Sequence, residues 1–175
     1  MWPREEVVRV LRARGELWNV APGVTALRGD AATLLRSLER AIAAICEHET
    51  CDDWRVPPAI DFARALDLDA TVAAATDPFF APSGRAKHLL QQLKELKREL
   101  LLPTGPQGRT AASSFNLHDT FFGEAFDIRL VSGEPATTAC VAFGLERWLL
   151  AFLVRHGPHA VAWPAVDVLA EVRHG

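Results

Sequence analysis

Residues 139–157 read ACVAFGLERWLLAFLVRHG. Small and apolar residues from Ala139 to Phe143 have the character of a strand, and Gly144 breaks it. An amphipathic helix is predicted over 144–156, with Glu146 and Arg147 just past the joint. Arg147 reads in two ways. A guanidinium grips phosphate through parallel hydrogen bonds; equally, Arg147 is a surface arginine paired with Glu146 or Glu134. Cys140, inside the apolar strand, is a small buried hydrophobe, a zinc ligand or a nucleophile.

Upstream of this joint lie three apolar, β-rich stretches: around Ser113–Phe115, around Ala125–Val131, and Thr138–Phe143. The turn SGEP at 132–135 separates the last two, which predicts an antiparallel hairpin between them. KRELLLP at 97–103 and ATVAAAT at 70–76 are strand-like, and GPQGR at 105–109 is a turn. Helices are expected over 3–14, from Asp30 as N-cap to about Glu49, over 61–67 and over 86–96. The lysines and arginine of that last stretch, Lys87, Lys94, Lys97 and Arg98, make either a solvated face or a dock for an acidic partner. DDWRVPPAI at 52–60 reads as a strand closed by Pro57 and Pro58, NVAPGVTALRGD at 19–30 and DPFFAPSGR at 77–85 as loops, and AWPAVDVLAEV at 162–172 as a closing helix. The order of elements predicts α+β with a mainly antiparallel sheet.

The totals set bounds. The 175 residues suffice for one domain with a sizeable core; 49% are hydrophobic and 23% charged. The net charge of −3, without a basic tract, argues against a nucleic-acid partner held by phosphate neutralisation. No apolar run reaches a membrane span and the N-terminus lacks an apolar signal core, so a cytoplasmic location is expected. Three cysteines suit free thiols or one metal site in a reducing compartment.

Two further clusters could carry chemistry. SFNLHDTFFGEAF at 114–126 sets Asn116, His118, Asp119 and Glu124 among aromatics, and His118 beside Cys140 could support acyl transfer as base and nucleophile. The alternative is a polar strand edge with satisfied side chains. In CEHETC, Cys46, His48 and Cys51 are either loose metal ligands or ordinary thiols at a helix end.

Taken together, these stretches resemble a known family. TTACVAFGLERW resembles motif 3 of the class II aminoacyl-tRNA synthetases, and DDWRVPPAI, with Pro58 as its proline, resembles motif 1. TDPFFAPSGR, ELLLP, SFNLHDTFFGEAFDI and HGPHAVAWP, in that order, resemble the C-terminal half of the amino acid:[carrier protein] ligases, relatives of the zinc-dependent archaeal seryl-tRNA synthetases. The resemblance implies a single reduced class II-like domain over 1–175: a helical arm at 1–18, a motif 1-like helix and strand at 30–60, and the half bearing motif 3 at 76–165. It implies ATP-dependent activation of a small amino acid and transfer to a carrier-protein thiol. Arg147, with Glu146, falls at the ATP site; Cys140 falls at one of three zinc ligands that orient the substrate amine; Asn116 falls next to the substrate; and Pro58 marks a homodimer surface.

One interval departs from the family. Only 18 residues separate Pro58 from Asp77, where the family carries motif 2, its α-phosphate-binding arginine and two further zinc ligands. Arg64, in this interval, is helical in pattern. The expectation is a homologue that forms no aminoacyl-adenylate alone and acts on or with an aminoacyl carrier protein or partner protein. The alternatives are a transferase using Cys140 and His118, and a ligase completed by a partner chain.

Overall fold

The computed structural model describes residues 1–48, 58–75 and 96–166. The strand expected over 52–57, the loop at 77–85, nearly all of the helix at 86–96, Cys51, and the chain beyond 166 lie outside the described residues.

Helix α1 (Arg4–Ala13) starts after Pro3, carries Glu5 and Glu6 in its first turn and buries Val7 and Leu11. Acidic residues at a helix start complement its exposed N–H groups. A two-stranded hairpin follows, β1 (Leu17–Ala21) and β2 (Val24–Leu27), paired Leu17 to Leu27 and Trp18 to Ala26. This corrects the loop expected over 19–30. Pro22 and Gly23 form the turn of a hairpin, where Gly23 supplies φ +75°, and the flanking β-branched and aromatic residues form its strands.

Helix α2 (Gly29–His48) begins one residue before the expected cap. The carboxylate that reaches an α2 backbone N–H is that of Glu16, which accepts from Ala31 N at 3.1 Å, while Asp30 pairs with Arg14. Arg14 also lies 2.5 Å from Glu16 Oε1 and donates to Pro158 O at 2.6 Å, tying the ends of three segments together. Glu16 is only 8% exposed. Glu16→Ala removes both the cap and one of the partners of a half-buried guanidinium, so a loss of about 1–3 kcal/mol is expected. Urea denaturation measures it, and Glu16→Gln, which keeps the acceptor, should recover part of the loss.

Helix α3 (Ala59–Ala65) is capped by Pro58, whose carbonyl accepts from Asp61 N and Phe62 N. Four strands then form one antiparallel sheet in chain order: β3 (Thr71–Ala74), β4 (Lys97–Pro103), β5 (Arg109–Asp119) and β6 (Thr138–Phe143). The short helix α4 (Phe121–Ala125) and a tight excursion lie between β5 and β6. The strand expected over 125–131 does not form; only an isolated bridge joins Arg129 to Pro135. Asp119 and Asp127 adopt left-handed conformations, and a Cβ at Gly123 would stand 2.3 Å from Ala136 O, so the chain folds back on itself and β6 pairs with β5.

Helix α5 (Leu145–His156) follows β6 as expected and packs on β4 and β5 of the sheet, and α2 and α1 pack against α5. Its Trp148 and Phe152 are fully buried and share the core with Leu38, Leu66, Leu100 and Leu102. Of the closing helix expected over 162–172 only the first residues are described: a 3-10 turn, Ala160–Ala162, ends there and the chain is extended at Trp163. Pro164 follows, and it lacks the N–H that would continue the turn. Among the described residues no helix is long and apolar enough to cross a membrane.

Candidate functional site

The register of the sheet sorts its side chains. Trp148 Nε1 donates to Ser113 Oγ at 3.0 Å, so the face carrying Ser113 is the one under α5. Side chains alternate along a strand, which places Ser114, Asn116 and His118 on the opposite face. Ser114 pairs with Glu99 and Ala142, and Asn116 with Lys97 and Cys140. That face therefore gathers Lys97, Glu99, Ser114, Asn116, His118, Thr138 and Cys140. Lys97 Nζ stands 3.0 Å from Glu99 Oε1.

Three of the expected site residues meet here. Asn116 Nδ2 donates to Ser114 Oγ at 3.3 Å and to Cys140 Sγ at 3.4 Å. His118 lies two residues along the same strand, but its Nδ1 is 3.1 Å from Thr138 Oγ1 and its ring stands edge-on to Phe122. The hydrogen-bond partner of Cys140 is thus Asn116, and the expected contact between His118 and Cys140 is not made. Burial pushes the His118 imidazole below its ordinary pKa, which keeps it neutral at pH 7.

Arg147 and Glu146 diverge. The stem of Arg147 crosses Gly144, where a Cβ would come within 3.1 Å of Arg147 Cδ, and its Nη1 donates to Ala111 O at 2.5 Å. Gly144 N is itself bonded to Ala112 O. Glycine at the joint thus lets the guanidinium lie back on the end of β5 while remaining exposed. Glu146 instead lines a cavity of about 420 Å³ on the helical side, with Arg36, Val8, Leu35 and Leu150. The two neighbours do not point into one phosphate site.

Zinc sites use three or four protein ligands. Among the described residues no three His, Cys, Asp or Glu side chains gather closely enough to hold an ion. The sulfur of Cys140 faces an amide N–H instead. The described residues therefore do not fit the metal that the resemblance implies. Cys46 is exposed on α2, and partial burial of its sulfur raises its pKa.

Sequence reasoning missed Glu99, Ser114 and the part Lys97 plays on this face. The signal was present: Ser114, Asn116 and His118 alternate with Phe115 and Leu117. Pairing that polar row with Glu99 required the register.

An antiparallel sheet with helices stacked against one face and polar groups on the other defines the class. It is a class II aminoacyl-tRNA synthetase-like fold, and the chain superposes on M. kandleri SerRS, from a crystal structure with A. aeolicus tRNASec, with a TM-score of 0.50. That likeness covers 64% of this chain and 23% of that one at 23% identity. In sequence, the chain is 44% identical over 104 residues to amino acid--[acyl-carrier-protein] ligase 1 of Bradyrhizobium diazoefficiens, covering 59% of this chain and 32% of the relative. Ligase 2 of the same organism is 43% identical over 103 residues, covering 58% of this chain and 31% of the relative. The type-2 serine--tRNA ligase of Methanococcus maripaludis is 31% identical over 122 residues, covering 66% of this chain and 24% of that enzyme. The chain is a ligase-like relative of these proteins, and its match to the Bradyrhizobium ligases spans about a third of their length. No protein-family model matches it.

Proposed function

We propose that the chain is a single reduced class II-like domain that keeps the ATP γ-phosphate corner at Arg147 but does not form an aminoacyl-adenylate alone. It acts on or with an aminoacyl carrier protein or a partner protein, as a cytoplasmic homodimer joined through the motif 1-like surface that Pro58 marks.

The observation that carries this reading is the content of the interval after Pro58. It holds α3 and β3, and its arginine, Arg64, is on α3 with Nη1 3.2 Å from Asp61 Oδ1. Arg64 lies on the exposed side of α3, paired with its neighbour one turn back, rather than on a strand of the sheet. Charge developing at the reacting phosphorus would lack the second guanidinium that the resemblance expects, and such groups supply a large part of catalysis. Arg147 alone can still bind a phosphate tail through the guanidinium edge not used on Ala111.

Amino-acid-dependent exchange of pyrophosphate into ATP tests the reading. The purified chain is expected to give no exchange with any small amino acid. Exchange that scales with chain concentration would overturn it.

A further inference from the structure

The cavity of about 420 Å³ on the helical side of the sheet is enclosed by α1, the β1–β2 hairpin, α2 and α5. Its floor is aliphatic and deep: Val7, Leu11, Leu149 and Leu153 are each 5% exposed or less. Leu17, Leu27 and Leu35 continue the wall, and none of the lining residues is aromatic. Such a wall suits branched aliphatic groups and offers no ring to stack on. An apolar cavity of about 150 Å³ holds one benzene ring. This one therefore has room for two leucine-sized groups and the short backbone between them.

Two opposite charges line the same cavity without meeting. Arg36, on α2, donates from Nη2 to Thr33 Oγ1 at 3.3 Å. Glu146, on α5, has no hydrogen-bond or ion-pair partner among the described residues, and Arg36 has no ion pair among them. Both side chains are exposed, which puts them at the mouth. A fatty acid entering here would bring its carboxylate close to Glu146, and an aliphatic amine would bring its ammonium close to Arg36. A ligand with one charge of each sign satisfies both groups.

We propose that this cavity is a binding site for a short aliphatic peptide with free ends. Its side chains lie on the leucine wall, its carboxylate meets Arg36 and its ammonium meets Glu146. Small-ligand pockets have this make-up: a volume of roughly 300–1,000 Å³, a mostly apolar lining, and a few polar groups that fix orientation. The site is separate from Arg147 and from the polar sheet face, so it does not rest on the proposed function.

Calorimetric titration of the purified full chain at pH 7 tests it, with leucyl-leucine as the probe, whose two ends are both ionised there. Leucyl-leucine is expected to bind with a Kd below about 1 mM. Glycyl-glycine, which lacks the aliphatic groups, should bind at least about tenfold more weakly. N-acetyl-leucyl-leucine lacks the cation and leucyl-leucinamide the anion, and each should lose about threefold or more. Glu146→Gln should weaken leucyl-leucine by a similar factor and leave N-acetyl-leucyl-leucine unchanged. Arg36→Gln should weaken leucyl-leucine and leave leucyl-leucinamide unchanged. These paired readings separate loss of a charge contact from loss of the fold, since a misfolded variant would lose every probe. No binding of leucyl-leucine, equal binding of glycyl-glycine or of either blocked dipeptide, or octanoate binding as tightly as leucyl-leucine would overturn the proposal. So would wild-type affinity for leucyl-leucine in both variants. No nucleotide is present, so each outcome is independent of the exchange assay.

Discussion

Trp148→Ala is expected to lower the stability of the chain by about 3–5 kcal/mol, the range for emptying a large buried aromatic site. Trp148 has no exposed surface, packs against Phe62 with ring centroids 5.4 Å apart, and lies 6.5 Å from Phe143. Its N–H is the donor to Ser113, itself buried, so truncation also strands a hydroxyl, adding about 1 kcal/mol. Domains of this size are stable by only about 5–15 kcal/mol, so much of the total is at stake. The thermal midpoint should fall by about 8 °C or more, at roughly 2–4 °C per kcal/mol. Circular dichroism melts measure this. Trp148→Phe, which refills most of the space but lacks the donor, should recover more than half. A fall of less than about 1 kcal/mol in Trp148→Ala would mean that α5 is not the helix fastening the sheet.

The second large effect is expected at Arg147. Under the proposed function, Arg147→Ala should weaken ATP binding by about tenfold to a hundredfold, the equivalent of about 1.5–3 kcal/mol for hydrogen bonds to a charged group. Arg147→Lys should restore only part, since an ammonium keeps the charge but not the two-pronged geometry. The melting midpoint should move little, because the side chain is exposed and, among the described residues, hydrogen-bonds to Ala111 O. Calorimetric titration with magnesium-ATP reads the change. An unaltered affinity in the alanine variant would remove Arg147 from the nucleotide site.

The joint at 139–157 was legible because strand, glycine and helix each carry a local signature. Gly144 and Arg147 sit in the geometry that the spacing implied. β4 and α3 were legible for the same reason. The β1–β2 hairpin was not, since the Pro22-Gly23 turn reads alike in a loop and a hairpin, and only the pairing of Leu17 with Leu27 decides between them. The excursion at 125–131 was misread because exposed Phe126, Ile128 and Leu130 alternate like a half-buried strand. Alternation reports a face; it does not report whether anything packs against it.

The site followed the same division. Asn116, His118 and Cys140 were visible as polar residues in strands, yet the sequence paired Cys140 with His118 and the structure pairs it with Asn116. Cross-strand register, which is set by the turn and the bulge at the end of β5, decides which residues meet. Glu146 and Arg147 are adjacent in sequence, but a helix turns about 100° per residue, which carries them to different sides of the layer.

The most direct measurement is pyrophosphate exchange into ATP, run with the purified chain and each of the small amino acids. A magnesium-ATP titration on the same preparation serves as the control for a folded nucleotide corner. ATP binding that depends on Arg147 is expected, together with no amino-acid-dependent exchange. Sustained exchange by the chain alone, abolished in Arg147→Ala, would contradict it and make this polar sheet face a complete adenylating site.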